Sequence, residues 1–348
     1  MNNIFFTSLI IFYLSHYLII NWRLPNVLLM DEKKNKIQSF HEKETIRSGG
    51  ILILLVWIYF IITDVNNFTN INFLIFFSLG NFLIGLFADT KIIESPFKRF
   101  IMMLFINLLI IIYFDFYIIE FNFLFLDYLN SFLIFKTLLV FLALFFIVNG
   151  SNLIDGFNGL LAIHVSLIIL LILLICQKNN LEINFENYLI FLIFLNILFL
   201  SLNFPNAKIF LGDGGAYFLG TQVACISIYL ANNFEIISPF FIANILFYIF
   251  FEIFFSVFRK IFQRKNPFLP DNKHMHMLLF NMLKKNNKFA NPITSVIINF
   301  IFFLTIVPSY FYFSNDFACK IIFFIQIITY VIFYIFLIKN RSNADIYS

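Results

Sequence analysis

The chain has 348 residues, 61% of them hydrophobic and 21% aromatic, with only 12% charged and a net charge of +4. A soluble domain is near half apolar with about a quarter of its residues charged. That excludes a soluble enzyme carrying one anchor, and it gives no sign of a nucleic-acid partner. The expected fold class is an all-α, polytopic integral membrane protein forming one domain over 1–348.

A span needs about 20 apolar residues. Apolar runs between polar breaks predict eleven spans, near 3–21, 49–63, 71–88, 100–118, 131–149, 159–176, 187–203, 214–231, 238–258, 293–313 and 319–338. The first run lacks a basic leader and a small-residue cleavage site, so it reads as a span rather than a signal peptide. The second is short and is expected to begin before Gly49. Alternate loops, starting after the first span, hold 20 of the 23 Lys and Arg, leaving Lys136, Lys178 and Lys320 on the other side. By the positive-inside bias, the N-terminus lies outside and the C-terminus in the cytoplasm. Cys176, Cys225 and Cys319 show no metal or disulfide spacing and read as packing residues.

Five polar features fall on the cytoplasmic side of this topology. The loop at 31–50, DEKKNKIQSFHEKETIRSGG, is basic and ends in a Gly pair. GLFADTKIIESPFKRF at 85–100 puts Asp89 at the end of a span, near Lys91, Lys98 and Arg99. There a carboxylate suits a proton acceptor or a cation ligand; the plainer alternative is an interfacial residue. NLIDGFNGL at 152–160 offers Asn152, Asp155 and Asn158. At i, i+3 spacing on a helix these would share one face, while helix capping would explain fewer polar residues.

KIFLGDGGAYFLG at 208–220 sets Asp213 among glycines just before a span. Bare amides at a helix start suit phosphate, and the carboxylate suits Mg²⁺. A capped turn is the alternative. LPDNKHMHMLL at 269–279 carries Lys273, His274 and His276. A His-x-His pair without a third ligand is a poor zinc site, so phosphate contact or a solvated basic loop are its two readings. Glu252 lies within the ninth span, where ionisable residues are rare. His164 reads as a packed, hydrogen-bonded residue.

These features, in this order, resemble the polyprenyl-phosphate sugar-1-phosphate transferases, the superfamily of MraY and WecA (glycosyltransferase family 4). The resemblance is collinear from about 31 to 281, and the segments at 152–160 and 208–220 are its specific matches. It implies a multi-pass protein of the bacterial inner membrane with one cytoplasmic-face active site, and it is compatible with a homodimer. The implied reaction moves a sugar-1-phosphate from a UDP-sugar to polyprenyl (undecaprenyl) phosphate in the lipid phase, releasing UMP with Mg²⁺ (or Mn²⁺).

By this resemblance Asp213 is the main metal ligand, with Asp155 and Asn152 beside it. Asp89 accepts a proton from the lipid phosphate or orients it. Lys273, His274 and His276 contact the nucleotide or diphosphate; Asn158, Arg47, Lys98 and Arg99 are further substrate contacts. Three positions depart from the family pattern: Ala88 replaces the first Asp of an Asp pair, Met277 a further His, and Asn158 an Asp. The histidine segment resembles the WecA-like branch, which starts O-antigen and other surface glycans. A catalytically silent relative that binds lipid phosphate or sugar nucleotide is the alternative reading. A transporter would need repeat halves and polar residues near the bilayer midplane, which the one-sided features do not match.

Overall fold

A computed structural model describes residues 2–21, 45–63, 72–118, 124–179, 183–266, 271–284 and 287–340. The helices among them are α1 (Asn2–Asn21), α2 (Gly49–Thr63), α3 (Asn72–Asp89), α4 (Pro96–Tyr113), α5 (Leu124–Asn130), α6 (Leu133–Ile154) and α7 (Leu160–Lys178). They continue with α8 (Ile183–Asn203), α9 (Gly212–Asn233), α10 (Pro239–Ile245), α11 (Phe247–Phe262), α12 (Met275–Leu283), α13 (Ala290–Phe311) and α14 (Asp316–Lys339). Among the described residues nine helices are long and apolar enough to cross a membrane, and the count is ten if α10 and α11, bent by 74°, form one broken span rather than a re-entrant loop. The apolar α2 has 15 residues. The chain is a multi-pass membrane protein; each of the eleven predicted runs lies on a helix or on the bent pair, but α2 is shorter than a bilayer-crossing helix needs, so nine, or ten with the bent pair, qualify among the described residues.

The bundle is organised around α9. Every residue of it from Gly214 to Ile228 is buried, as expected of a helix apolar on all sides. Lipid tails are as apolar as Leu, so spans associate by close packing at small residues and by interhelical hydrogen bonds. Both occur here. A Cβ on Gly50 of α2 would lie 2.5 Å from the Gly215 nitrogen, so the two backbones meet with no room for a methyl group. Within the bilayer, Trp57 Nε1–H donates to the Tyr188 hydroxyl (2.9 Å), which donates to Gln222 Oε1 (2.6 Å). Gln222 Nε2 donates to Ser78 Oγ (2.8 Å), completing a buried chain through α2, α8, α9 and α3.

Two boundaries differ from the sequence expectation. Helix α2 starts at Gly49 and not earlier, because the backbone before it is laced to the segment before α9. Phe210 N donates to Ile46 O, Gly49 N to Phe210 O and Gly50 N to Leu211 O, at 2.9, 2.9 and 2.8 Å. Helix α6 runs on to Ile154, so Asn149 and Asn152 are helical. Most of the 31–50 loop (through residue 44) and residues 267–270, with Pro270, lie outside the described residues. The cysteines are buried and unpaired.

Candidate active site

The start of α9 anchors the site. Gly212 has φ +77°, a left-handed conformation open to glycine, and a Cβ there would lie 2.7 Å from Asp89 Oδ2. Across that gap the Asp89 carboxylate, at the end of α3, accepts the amides of Asp213 (Oδ1, 3.0 Å) and Gly214 (Oδ2, 3.0 Å). Asp89 thus caps α9 from another helix, complementing the free amides and positive dipole end of its first turn. Arg47 Nη1 donates to Asp89 Oδ1 at 3.3 Å. The Asp89 side chain is 3% exposed.

Asp213 is held differently. Its backbone is pinned by Asp89, while its carboxylate accepts from Arg99 Nη1 at 2.9 Å and is 25% exposed. The neighbouring Lys98 is exposed, so of the two adjacent cations Arg99 reaches the acidic cluster. Asp155 caps the C-terminus of α6. Burial, then the charges of Asp213 and Asp89, push its carboxyl well above the usual carboxylate range, with Arg47 pulling the other way. Asp89, Asp155 and Asp213 therefore lie within one another's fields, although they come from three separate segments.

The polar run after α6 does not form one helical face. The helix ends at Ile154, and Gly159 turns the chain at φ +75°. Asn152 stays in the last turn, half-buried, beside Asp155. Asn158 leaves that face: its Nδ2 donates to Pro205 O (2.6 Å) and its amide to Asn291 Oδ1 (2.8 Å). The described geometry thus gives Asn158 a loop-tying role, with Asn203 Oδ1 accepting the Gly159 amide alongside it (2.7 Å).

The histidine segment is buried, not displayed. His274 and His276 are 2% and 0% exposed, with their rings parallel and 5.7 Å apart. Glu252 of α11 accepts from His274 Nδ1 (3.1 Å) and the Met275 amide (3.0 Å) at Oε1 and from the Tyr330 hydroxyl (2.9 Å) at Oε2. Asp271 pairs with Arg259 at 2.9 Å and Lys260 at 3.9 Å. Burial alone would raise the Asp271 carboxyl, but His274, the Lys273 amide and Arg259 together hold it below the usual range. Lys273 is half-buried, its carbonyl accepting from Tyr334 (3.2 Å). Phe157 packs edge-on against His276 at 5.6 Å, joining this segment to the one carrying Asp155. The role of Glu252 was faintly legible as a charge inside a span; its partners, from α12 and α14, were not.

Among the described residues no group of three or more His, Cys, Asp or Glu is poised as a ready-made metal cage. Mg²⁺ does not need one: it keeps waters and substrate phosphates and takes one or two carboxylates from protein. Asp213, a quarter exposed, and Asp155, whose carboxyl is raised by burial and then by Asp213 and Asp89, are the carboxylates that would suit such a cation.

Spans converging on one polar end, with carboxylates and guanidinium groups around a helix start, define a multi-pass membrane protein with one composite polar site. The family model described as Glycosyl transferase family 4 matches residues 71–231, which include all three carboxylates. The chain is 30% identical over 258 residues to the phospho-N-acetylmuramoyl-pentapeptide-transferase of Dictyoglomus turgidum, covering 69% of this chain and 78% of that protein. It is 27% identical over 209 residues to the undecaprenyl-phosphate alpha-N-acetylglucosaminyl 1-phosphate transferase of Thermotoga maritima, covering 60% of this chain and 62% of that protein. The chain belongs to this family of polyprenyl-phosphate sugar-1-phosphate transferases, as its motifs led us to expect.

Proposed function

We propose that the protein transfers an N-acetylhexosamine-1-phosphate from a UDP-sugar to polyprenyl phosphate, releasing UMP and starting a cell-surface glycan. The observation that carries this reading is the gathering of Asp89, Asp155 and Asp213 with Arg47 and Arg99 around the first turn of α9. In-line phosphoryl transfer needs positioning and charge neutralisation more than covalent help from the protein. A lipid phosphate oxygen attacks the sugar-bearing phosphorus, that P–O bond forms, and the bond to the UMP oxygen breaks. Asp213 and Asp155, with Asn152, would hold Mg²⁺ (or Mn²⁺), which supplies neutralising charge to the diphosphate when bound.

The role of Asp89 follows from its contacts. Both its oxygens face backbone amides, which favours an orienting role over proton acceptance. A phosphate monoester has its second pKa near 6, so the acceptor is largely ionised at neutral pH without a protein base. Arg99, on the rim of the cluster, is suited to the migrating phosphates. The one-sided Lys and Arg distribution supports a cytoplasmic site, and the family resemblance is what supports a bacterial inner-membrane location.

The test is direct. Purified protein in lipid nanodiscs is given polyprenyl phosphate, Mg²⁺ and a panel of UDP-sugars, and UMP is followed. Release with an N-acetylhexosamine donor is expected; none with any sugar would reject the activity. Ala88, at the position where the family pattern has the first Asp of a pair, favours the second reading, a silent member that binds lipid phosphate or sugar nucleotide, and binding without turnover would identify it.

A further inference from the structure

Glu252 is a charged residue inside a span, 1% exposed, and the proposed chemistry does not use it. It does not reach toward water as an interfacial carboxylate would. Both its oxygens are committed: Oε1 to His274 Nδ1 and the Met275 amide, Oε2 to the Tyr330 hydroxyl. An ionised carboxylate only accepts, so Nδ1 of His274 carries the proton. The other ring nitrogen of His274 lies 3.5 Å from Asp271 Oδ1, and Asp271 is itself tied to Arg259 and to the Lys273 amide (2.9 and 3.1 Å). The imidazole is therefore held on both edges. Its ring lies parallel to that of His276, whose Nδ1 meets the Tyr248 hydroxyl at 3.2 Å. His276 Nε2 is buried with no hydrogen-bond partner among the described residues, beside Phe157 of the segment that carries Asp155. Leaving a buried polar atom unpaired is unfavourable, so a hydrogen-bonding group of a substrate would be stabilised at this nitrogen.

We infer that Glu252 is the positioning residue of the histidine segment: it fixes the His274 tautomer and the first amide of α12, and thereby sets where His276 presents Nε2 to the nucleotide sugar. This rests on the proposed transferase reading for its substrate, but not for its geometry. The bent α11 supplies the carboxylate, α14 orients it through Tyr330, and the loop before α12 closes on it. In metal sites, partners that orient a ligating histidine in this way are worth about 10–100-fold in affinity or activity, and the same order is expected here.

The test uses the full-length protein in nanodiscs. Glu252→Gln keeps the shape and removes the charge; Tyr330→Phe removes only the hydroxyl on Oε2. UMP release gives kcat and KM for both substrates, and ¹⁵N NMR of histidine-labelled protein reports the ring nitrogens, assigned by single His→Gln variants. In Glu252→Gln, kcat/KM for the nucleotide sugar should fall at least about tenfold, KM for polyprenyl phosphate should hold, and the His274 and His276 signals should both move. Tyr330→Phe should move them in the same direction by less. Unmoved ring signals overturn the proposal whether or not any sugar is turned over. Moved signals with wild-type kcat/KM overturn it as well. Moved signals in a protein whose wild type turns over no sugar support the positioning and reject the transferase reading instead.

Discussion

Asp89 and Asp213 are joined side chain to backbone: the Asp89 carboxylate accepts the Asp213 amide at 3.0 Å, and the Asp213 carboxylate is left to face Arg99 and the rim of the site. One carboxylate holds the other in place. The two should therefore fail differently when substituted.

Asp213→Asn keeps the backbone amide that Asp89 holds, so the protein should stay folded. It removes the charge proposed to face the metal and phosphates. Loss of a preorganised electrostatic group costs on the order of 10²–10³ in kcat. Near-normal UMP release from a well-folded variant would reject the role.

Asp89→Asn retains one acceptor oxygen for two amides. Weakening a helix cap costs about 0.5–2 kcal/mol, so the thermal transition should fall modestly and turnover with it. The shape of the pH–rate profile should not change. Loss of one limb of that profile would instead make Asp89 the proton acceptor.

Arg99 and Lys98 adjoin in sequence but not in role. Arg99→Gln breaks the 2.9 Å pair with Asp213 and should raise KM for the nucleotide sugar or lower kcat at least about tenfold, the size of an effect near 1.4 kcal/mol. Lys98→Gln, at an exposed position, should leave both nearly unchanged. Equal effects from the two substitutions would contradict the geometry.

Gly50→Ala places a methyl group 2.5 Å from the Gly215 nitrogen and 2.6 Å from its Cα. Backbone cannot yield as a flexible side chain does. Overpacking of this kind costs about 1–3 kcal/mol, and here it would also spread the starts of α2 and α9. Reversible unfolding in mixed micelles should show the loss; unchanged stability would mean that the helices do not meet at these glycines.

His276 gives a pH dependence of known sign. Burial pushes its imidazole down to about 4, with Glu252 raising it and His274 lowering it. In the unfolded chain it titrates near 6.5. The folded state binds the proton less well, so stability is full above about pH 6.5 and falls as the pH drops toward 4, by at most about 1.4 kcal/mol per unit. His276→Gln should flatten that part of the stability–pH curve, and an unchanged slope would show that His276 is not the group responsible.

Much of this was legible in the chain because it is local. A span is a run of apolar residues, so hydropathy located each of the described helices long and apolar enough to cross a bilayer, though it counted the short α2 with them, and the Lys and Arg bias placed the polar segments together on one expected face. Motif order indicated the family. The pairings were not legible. Arg99 and Asp213 are 114 residues apart, and Asp89 and Gly214 are 125 apart; nothing in either segment names the other. The spacing of Asn152, Asp155 and Asn158 suggested a common helical face, but the helix stops at Ile154 and Gly159 takes a left-handed turn.

By itself the sequence determined the membrane architecture and the residue types available at one end of it, because burial in lipid selects long apolar helices and leaves polar residues to their ends. The tertiary structure alone decided which of those residues meet. Glycine contacts bring α2 and α9 to van der Waals distance, and the closed backbone lattice around Gly212 leaves Asp89 as the cap and Asp213 as the outward-facing carboxylate. Packing of α11, α12 and α14 then buries the two histidines against Glu252, because a charge inside a span is stable only where neighbouring helices supply its hydrogen bonds.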